Sequence, residues 1–386
     1  MHSIKDSLKA VYYIETNQNL KEVAEHLVEL ETTGKWSNQN SKPTKLFEEC
    51  KGEVLEIKEF EKGKGFVTLL YPLINFNLEE SAFSSVWLSM IGGATHALIT
   101  YEKSRLVDFE LPEFAYKYFP GPGWGLNKTK KYLGVSKNEP VIGTIVKPTS
   151  GLTADEVADM CYQFGSGGLQ FIKDDEKMLN TTYCPLAERV KKVTIALKKA
   201  EDKTGKKVLY APHITTGPEN IVKFAEVALK NGANALMINF FAASFSSLKI
   251  LRSQNYNVPI YAHCGGKEAF SRAEGQGVSP EVVAKFARLM GGDYLKSNIL
   301  GGYLVGGKIE EIKSLNHIMT MPIPGIKEMM PALSGGLKPS NLMENLKEFG
   351  TDIMILAGTG ITQYPGGIAA GVKAMKDVVK EYCKNI

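Results

Sequence analysis

Residues 167–180 read GGLQFIKDDEKMLN, and this short stretch contains the pattern on which the fold assignment rests. Leu169, Phe171 and Ile172 predict a buried strand, which two glycines precede. The strand ends in one lysine followed at once by three acidic residues: Lys173, Asp174, Asp175 and Glu176. Burying a charge is costly unless a partner compensates it, so charged groups rarely end an apolar strand without a reason. We therefore expect this strand end to have a structural or a chemical role.

Short apolar runs of the same kind recur after Pro140 and alternate with longer amphipathic segments. The strand candidates are VIGTIVKP, LQFIKDD, KVLYAPHI, ALMINF, PIYAHC, YLKSN, MPALSGG and IMILAGTG. Helix candidates include TADEVADMCYQFG, PLAERVKKVTIALKKAED, ENIVKFAEVALKNG, SPEVVAKFARLMGG and GIAAGVKAMKDVVKEY. Eight strand–helix units in about 245 residues predict a (β/α)8 TIM barrel. The alternative, a doubly wound sheet, usually has fewer strands and a glycine-rich first turn, which is missing here.

The chain before the barrel has a mixed pattern. It combines strand-like runs, AVYYIE and FVTLLYPL, with helical ones, NLKEVAEHLVELE and SSVWLSMIGGATHALITYEK. Residues 119–140 then concentrate Pro, Gly and Lys, as a linker or crossing segment does. We predict a smaller α+β domain over residues 1–125, a linker over residues 126–139 and the barrel over residues 140–386.

Composition favours a globular cytoplasmic protein with no nucleic-acid or membrane partner. The net charge of +4, from 46 basic and 42 acidic residues, is too small to indicate nucleic acid. The sequence MHSIKDSLKAVYYIE lacks the apolar core of a signal peptide, and no run is long enough to span a membrane. Five cysteines without metal-ligand spacing suit a reducing cytoplasm and argue against zinc.

Polar or glycine residues end every predicted barrel strand. TIM-barrel enzymes keep their catalytic groups at the C-terminal ends of the strands. The ends here are Lys147-Pro-Thr149, Lys173-Asp-Asp-Glu176, His213, Asn239, His263-Cys264, Lys296-Ser-Asn298, Ser334-Gly-Gly336 and Gly358-Thr-Gly360. Loop polarity accounts for part of this pattern, and the pattern as a whole favours a functional site at the barrel mouth.

Lys173, Asp175 and Glu176 form the first candidate site. Strand residues two apart share a face, so Lys173 and Asp175 point the same way, and Glu176 begins the turn. One interpretation is a salt-bridged strand end, since structural ion pairs are common. The other is a Mg²⁺ site, because Mg²⁺ prefers carboxylate and water oxygens. An ammonium group cannot bind a cation, but a lysine carbamylated by CO2 would supply a third carboxylate-like ligand.

The glycine-rich ends of strands 7 and 8 form the second candidate site. Backbone N–H groups at such turns can hold a phosphate, and TIM barrels often bind phosphate after these two strands. Tight turns are the other explanation of the glycines, but two such turns in successive units favour phosphate. The candidates are Ser334, Gly335, Gly336, Gly358, Thr359 and Gly360.

Lysine and histidine residues at the other strand ends complete the candidate set. Lys147 is either a solvated loop lysine or a group that stabilises an enolate or transfers a proton. His263 is either a hydrogen-bonded core residue or a group near the metal, and His213 is a weaker candidate of the same kind. Cys264 has no obvious base beside it in the sequence, so we do not predict a nucleophile there.

Several of these motifs together resemble the large subunit of ribulose-1,5-bisphosphate carboxylase/oxygenase (RuBisCO) and its RuBisCO-like relatives. GTIVKPTSGL followed by GGLQFIKDDE is similar to the family's strand 1 to strand 2 segment. PALSGG and LAGTGITQYPGG resemble its phosphate-binding strands 7 and 8, and SRLVDFELPEFAYKYFPGPGWGL resembles its interdomain segment. ETTGKW, residues 31–36, resembles the loop that reaches a partner subunit's substrate.

The resemblance implies a role for each matching residue. Lys173 would be carbamylated and would hold Mg²⁺ together with Asp175 and Glu176, and His263 would lie near the metal. Lys35 and Trp36 occupy the loop that contacts a partner's substrate, so a homodimer with shared active sites is implied. Lys267 and Lys296 are further candidates for substrate contact or for the general base.

Departures from the family pattern are as informative as the matches. Thr149 replaces the second lysine of the KPK motif, and Cys264 stands where an arginine grips a second phosphate. Lys296 takes the place of a histidine, and the position of the mobile lysine that assists CO2 addition falls on Gly302 or Tyr303. The family's Thr before Trp36 is a lysine here, and its asparagine near Met90 is lost.

These losses predict a non-carboxylating, form IV RuBisCO-like enzyme. The expected reaction is Mg²⁺-dependent enolisation, by isomerisation or tautomerisation, of a phosphorylated keto-sugar of the methylthioribulose-phosphate type. A decarboxylase of a phosphorylated 3-oxo sugar acid, such as 3-oxo-isoapionate phosphate, is the alternative within the family. A barrel that only binds a sugar phosphate is the alternative of another class.

Overall fold

The computed structural model describes residues 4–38 and 40–385. Its strands are β1 (Ser7–Glu15), β2 (Glu53–Glu61), β3 (Lys64–Pro72), β4 (Lys103–Glu110), β5 (Val141–Ile145), β6 (Phe171–Lys173), β7 (Leu209–Ala211), β8 (Leu236–Asn239), β9 (Ile260–His263), β10 (Gly277–Val278), β11 (Tyr294–Ser297), β12 (Met330–Leu333) and β13 (Met354–Leu356). Its α-helices are α1 (Leu20–Leu30), α2 (Lys45–Cys50), α3 (Leu78–Ile91), α4 (Gly125–Leu133), α5 (Ala154–Ser166), α6 (Leu186–Thr204), α7 (Ile221–Lys230), α8 (Phe240–Ala243), α9 (Ser246–Ser253), α10 (Glu268–Ser271), α11 (Pro280–Leu289), α12 (Ile309–Thr320), α13 (Pro339–Phe349), α14 (Thr359–Thr362) and α15 (Gly367–Lys384). Short 3₁₀ helices span Ile4–Asp6, Leu73–Asn75, Glu113–Tyr118 and Pro218–Asn220.

The chain divides into two compact units. The first contains the residues up to 119 together with residues 266–286 and 323–325. The second contains residues 120–265, 287–322 and those from 326 onward. Each unit has its own β-sheet and is described by itself.

A five-stranded sheet, in the order β10-β4-β1-β3-β2, forms the centre of the first unit. β1 runs antiparallel to β3 and β4, and alternate β1 residues are buried. Asn19 caps α1 by accepting the N–H groups of Lys21 and Glu22, and α1 turns its apolar face inward. The runs predicted as strands within β1 and β3, and the predicted helix α1, are confirmed.

The helix predicted over residues 84–103 is correct only as far as Ile91. Gly92 ends α3, Gly93 adopts a φ of +41° that favours glycine, and the chain continues through turns into β4. The carboxylate of Glu31 accepts the N–H groups of Ala94 and Thr95, which holds the turn segment in a non-helical path. This long-range contact overrides the helical pattern of the local sequence.

Eight parallel strands form the sheet of the second unit, in the order β7-β6-β5-β13-β12-β11-β9-β8. A bridge between His213 and Met237 links the two ends, because Ile214 N–H donates to Met237 O and Met237 N–H to Pro212 O. This is the predicted (β/α)8 barrel, and all eight strand candidates are present in it. The five helix candidates appear as α5, α6, α7, α11 and α15.

Alternate residues of the barrel strands fill its interior. Phe171, Tyr261 and Tyr294 form an aromatic group, with the rings of Phe171 and Tyr294 edge to face at 5.5 Å. Each fully buried large side chain contributes about 1.5–3 kcal/mol. The same alternation continues toward the C-terminal end of each strand, and so determines which residues point into the barrel mouth.

No α-helix in the described part of the chain is both long and apolar enough to cross a bilayer. None of the five cysteines, all of which lie in the described part of the chain, forms a disulfide bond.

Candidate active site

One residue from each barrel strand continues the interior alternation at the C-terminal mouth. Each lies an even number of residues beyond an apolar residue of its strand that packs inside the barrel. These residues are Lys147, Lys173, His213, Asn239, His263, Lys296, Ser334 and Gly358. The strand geometry thus directs eight candidate side chains or backbone positions toward one region, where TIM-barrel enzymes have their active sites.

Lys173 is almost fully buried, with 2 % of its surface exposed. Its Nζ donates to the carbonyl oxygen of Asp174 at 2.9 Å and lies 3.3 Å from the sulfur of Met237. The ring of Tyr261 packs against the same ammonium group. Burial lowers the pKa of Lys173 to about 8, although the charges of Asp175, Asp174 and Glu176 oppose the decrease. A substantial fraction of this amine is therefore neutral at weakly alkaline pH.

Asp175 and Glu176 present their carboxylates beside Lys173. Asp175 Oδ2 accepts a bond from Lys147 Nζ at 2.6 Å, and Lys147 also contacts the hydroxyl of Thr149 at 3.2 Å. Asp175 is 4 % exposed, whereas the Glu176 side chain is 38 % exposed and lies at the open side of the site. The two acids thus offer oxygen ligands at different depths of the same mouth.

His263 faces Glu176, with Nε2 3.4 Å from Glu176 Oε2. Its Nδ1 accepts the N–H of Gly265 at 3.1 Å, so the neutral ring carries its proton on Nε2, toward the carboxylate. Burial, with added repulsion from Lys173, lowers the pKa of His263 well below its usual value. His263 is therefore a neutral hydrogen-bond donor at pH 7. A Cβ at Gly265 would lie 2.5 Å from Glu176 Oε2 and 2.9 Å from a ring carbon of His263, so a larger residue here would displace these two side chains.

Asp174 points away from the mouth and has a structural role. Its carboxylate is fully buried and accepts bonds from Arg189 Nε at 3.0 Å, Tyr210 Oη at 2.8 Å and His213 N–H at 2.9 Å. Arg189 also donates to three backbone carbonyls of the loop after β6: Met178, Leu179 and Cys184. This network fixes the loop that begins with Asp175 and Glu176.

The glycine-rich turns after β12 and β13 line an open pocket of about 640 Å³. Its lining includes three of the predicted phosphate-binding residues: Gly336, Thr359 and Gly360. Ser334, Gly335 and Gly358 are not part of that lining, and the Ser334 N–H donates to Ser297 O in the sheet. A Cβ on Gly360 would lie 2.1 Å from Leu337 O, so glycine is required where the two turns meet.

Lys338, Gln363 and Tyr364 also line this pocket and were not singled out from the sequence. Lys338 follows the SGGL motif directly and precedes α13. A cation beside glycine-rich turns is a usual component of a phosphate site. The position of Lys338 directly after the SGGL motif could therefore have identified it as a phosphate-binding candidate from the sequence.

The loop after β11 lies against the turn after β12. Asn298 anchors it by donating to the carbonyls of Val305 at 2.7 Å and Gly306 at 2.9 Å. Tyr303 is 79 % exposed, and its N–H donates to Gly335 O at 3.4 Å. At the base of the loop, Lys296 Nζ contacts Asn298 Oδ1 at 3.0 Å. The predicted mobile-lysine position is therefore occupied by residues without an amine.

Two family descriptions together match most of the chain. The catalytic domain of the ribulose bisphosphate carboxylase large chain matches residues 125–384, and its N-terminal domain matches residues 2–115. The chain belongs to the RuBisCO large-chain family.

Curated RuBisCO-family relatives carry more than one activity in their names. A ribulose bisphosphate carboxylase of Pyrococcus abyssi is 31 % identical over 97 % of this chain and 88 % of its own length. A 3-oxo-isoapionate-4-phosphate decarboxylase of Rhizobium rhizogenes is 28 % identical over 96 % of this chain and 91 % of its own. Sequence similarity to RuBisCO-family members therefore does not by itself select the reaction.

Solved RuBisCO-family structures superimpose on the whole chain. The octameric RuBisCO of Pyrococcus horikoshii has a TM-score of 0.93 at 27 % identity, covering 100 % of this chain and 92 % of its own. A dimeric archaeal RuBisCO from Hyperthermus butylicus has a TM-score of 0.90 at 27 % identity, covering 100 % and 92 %. The RuBisCO-like protein MtnW from Alicyclobacillus acidocaldarius has a TM-score of 0.89 at 25 % identity, covering 100 % and 95 %.

The residues of this RuBisCO-family mouth fit a Mg²⁺ ion only if Lys173 is modified. Within the described residues, no group of three or more His, Cys, Asp or Glu side chains is arranged to hold a metal. Asp175 and Glu176 supply two hard oxygen ligands, whereas octahedral Mg²⁺ sites favour further oxygens. A neutral lysine amine is the form that can add CO2, and a carbamate on Lys173 would supply the third anionic ligand.

Lys35, Trp36 and Lys267 belong to the first unit, so their predicted roles remain predictions. Trp36 Nε1 donates to Ser41 O at 2.9 Å, and its ring packs edge-on against Phe47. Lys35 is exposed, and Lys267 Nζ pairs with Glu268 at 2.7 Å.

Proposed function

We propose that this protein is a Mg²⁺-dependent RuBisCO-like enzyme that enolises a phosphorylated keto-sugar and does not fix CO2. The observation that carries the proposal is the grouping of Lys173, Asp175 and Glu176 at the barrel mouth, with burial keeping the lysine amine partly neutral. A protein that only bound a sugar phosphate would not need a buried lysine whose amine is partly neutral. We further propose a cytoplasmic location.

Carbamylated Lys173, Asp175 and Glu176 would hold Mg²⁺, which as a Lewis acid lowers the barrier to removing a proton next to a carbonyl. Lys147 is the cation next to Asp175, and it would stabilise the negative charge that develops on the substrate oxygen, or transfer the proton. Neutral His263 would donate to Glu176 and hold that carboxylate in place. Lys296 is the third lysine among the eight mouth residues, after Lys147 and Lys173, and it is the second candidate for proton transfer.

One phosphate per substrate is the stoichiometry that the residues support. Gly336, Thr359, Gly360 and Lys338 line the pocket after strands 7 and 8, where a phosphate would bind. At the strand-5 position, Cys264 is 2 % exposed and offers no positive charge for a second phosphate. Ser334, Gly335 and Gly358 would support the same turns from the interior side.

The loop after β11 argues against CO2 fixation. Gly302 and Tyr303 stand where the family resemblance places the mobile lysine, and neither carries an amine. The structural likeness to the RuBisCO-like protein MtnW supports a non-carboxylating reaction. The archaeal carboxylases among the relatives are the comparison that favours CO2 fixation instead. The relatives named as 3-oxo-isoapionate-4-phosphate decarboxylases favour decarboxylation as the second candidate reaction.

A substrate screen tests the proposal. Phosphorylated ketoses, including a methylthioribulose phosphate, and phosphorylated 3-oxo sugar acids are incubated with the protein, Mg²⁺ and bicarbonate, and products are followed by NMR. We expect turnover of one compound, with isomerised or tautomerised product rather than CO2 release, and none by Lys173→Ala. Wild-type protein that binds these compounds with no turnover would reject the enzyme. Labelled CO2 incorporated into ribulose bisphosphate would instead show a carboxylase.

A further inference from the structure

His213 has a buried ring nitrogen without a partner. The residue is 2 % exposed, and its Nδ1 has no hydrogen-bond partner within the described part of the chain. Buried polar atoms are almost always paired, so an unpaired one at a barrel mouth requires an explanation. His213 also has no role in the site as proposed so far.

The hydrogen bonds on the other side of the ring favour Nδ1 as a donor. Nε2 of His213 contacts the hydroxyl of Thr215, and that hydroxyl accepts the N–H of Asn239 at 2.8 Å. Among the described residues, Nε2 is the acceptor found for the proton of the Thr215 hydroxyl, so we infer the arrangement in which Thr215 donates to Nε2. Burial lowers the pKa of His213 to about 3, so the ring is neutral. A neutral imidazole that accepts at Nε2 carries its proton on Nδ1.

Strand register directs this donor to the same part of the interior as Lys173. Lys173 pairs with Ala211 in the parallel ladder between β6 and β7, and His213 lies two residues after Ala211 on the same face. Lys173 is also the strongest charge acting on His213. An ammonium group and an imidazole N–H are both donors, so neither satisfies the other. The acceptors of Lys173 Nζ are the Asp174 carbonyl and the weakly accepting Met237 sulfur.

We propose that His213 is the hydrogen-bond donor that stabilises the carbamate on Lys173, through its Nδ1–H. The inference rests on the proposed function, because it assumes that Lys173 takes up CO2. The neutral amine of Lys173 attacks CO2, a C–N bond forms as one C=O π bond opens, one proton leaves to solvent, and the product carries one negative charge shared by two oxygen acceptors. One of these oxygens supplies the partner that Nδ1–H lacks, and Thr215 fixes the ring in the tautomer that can donate. His213 is thus a positioning residue for the modified lysine.

The test measures carbamate formation directly, on the full-length protein without metal. Carbon-13 NMR follows the carbamate signal during titration with ¹³C-bicarbonate at pH 8, and Lys173→Ala identifies the signal. His213→Leu removes the donor and leaves no unpaired nitrogen, so its fold is expected to remain stable. His213→Asn restores a side-chain N–H donor. Thr215→Val leaves His213 in place but no longer fixes its tautomer.

We expect His213→Leu to weaken CO2 uptake by at least about tenfold, since a hydrogen bond to a charged group is lost. His213→Asn should remain within about threefold of wild type, and Thr215→Val should show a smaller loss than His213→Leu. A folded His213→Leu that takes up CO2 like wild type would overturn the role of His213 and leave the proposed function standing. A wild-type spectrum identical to that of Lys173→Ala would overturn both.

Discussion

At the scale of single residues, Lys173 shows how function lowers stability. Its amine is buried among Tyr261, Met237 and a backbone carbonyl, and the charged form is stabilised only in part by nearby acids. Burial therefore lowers the pKa to about 8. A lysine with this environment destabilises the unmodified protein, and it becomes useful when CO2 converts it into an anion.

Lys173→Met is expected to stabilise the unmodified protein at pH 7 by roughly 1–3 kcal/mol, because it removes a buried charge. The folded pKa of about 8 is below the unfolded value of 10.5, so the folded state binds fewer protons between these two pH values. Wild-type stability should then rise from pH 8 to 10.5, and the gap to the variant should close. Urea unfolding in CO2-free buffer with chelator measures both effects. A variant less stable than wild type at pH 7 would contradict the account of burial.

At the scale of elements, the strands of the barrel were predictable and several connections were not. Apolar runs with turn residues between them predicted all eight barrel strands, because these strands are buried on both faces. β2 escaped prediction since it is an edge strand whose residues are mostly exposed and charged, so its hydrophobic alternation is weak. The pairing of β10 with β4 joins residues far apart in sequence, which a local pattern does not reveal.

The site was predictable to a similar extent. Strand alternation in the sequence alone predicts that Lys147, Lys173 and His263 lie at the mouth. The tautomer of His213 and the turn contacts of Lys338 depend on partners that are distant in the sequence or set by the turn geometry. The sequence shows where these two residues stand but does not predict which groups they contact.

Arg189 on α6 is the element-scale test of how the loop after β6 is held. Arg189→Met should lower the free energy of unfolding by about 3–5 kcal/mol, because it leaves the Asp174 carboxylate buried without its cation. Replacing both partners, with Asp174→Asn added, should recover part of the loss. Lys192→Met is the matched control on the same helix, where the pair with Asp155 is exposed and about 0–1 kcal/mol is expected. Equal losses for Arg189→Met and Lys192→Met would show that the buried network does not hold the loop.

At the scale of the whole molecule, we propose that a second copy of the chain completes the site. RuBisCO-family structures that superimpose on this chain include a dimer and an octamer. The family resemblance places Lys35 and Trp36 in the loop that reaches a partner's substrate. We therefore propose a homodimer, or an oligomer built from dimers, in which each mouth is completed by the other subunit.

Mixing two inactive variants tests this sharing. Lys173→Ala damages the barrel mouth and Trp36→Ala damages the partner loop, so each homodimer should be inactive. Half of randomly re-formed dimers are mixed, and one of their two sites is intact, so activity should return to about a quarter of wild type. Two Lys173 variants, Lys173→Ala with Lys173→Met, provide the control that should stay inactive. No recovery from the first mixture, with exchange confirmed by mass spectrometry, would reject a shared site.

The central claim is that CO2 on Lys173 completes a Mg²⁺ site with Asp175 and Glu176. Isothermal titration of Mg²⁺ into the protein, with and without saturating CO2 at pH 8, tests it independently of any substrate. CO2 should tighten Mg²⁺ binding to wild type by at least about tenfold, since it adds an anionic ligand, and should have no effect on Lys173→Ala. Equal Mg²⁺ affinity of wild type in both conditions, or the same CO2 effect in Lys173→Ala, would contradict the account.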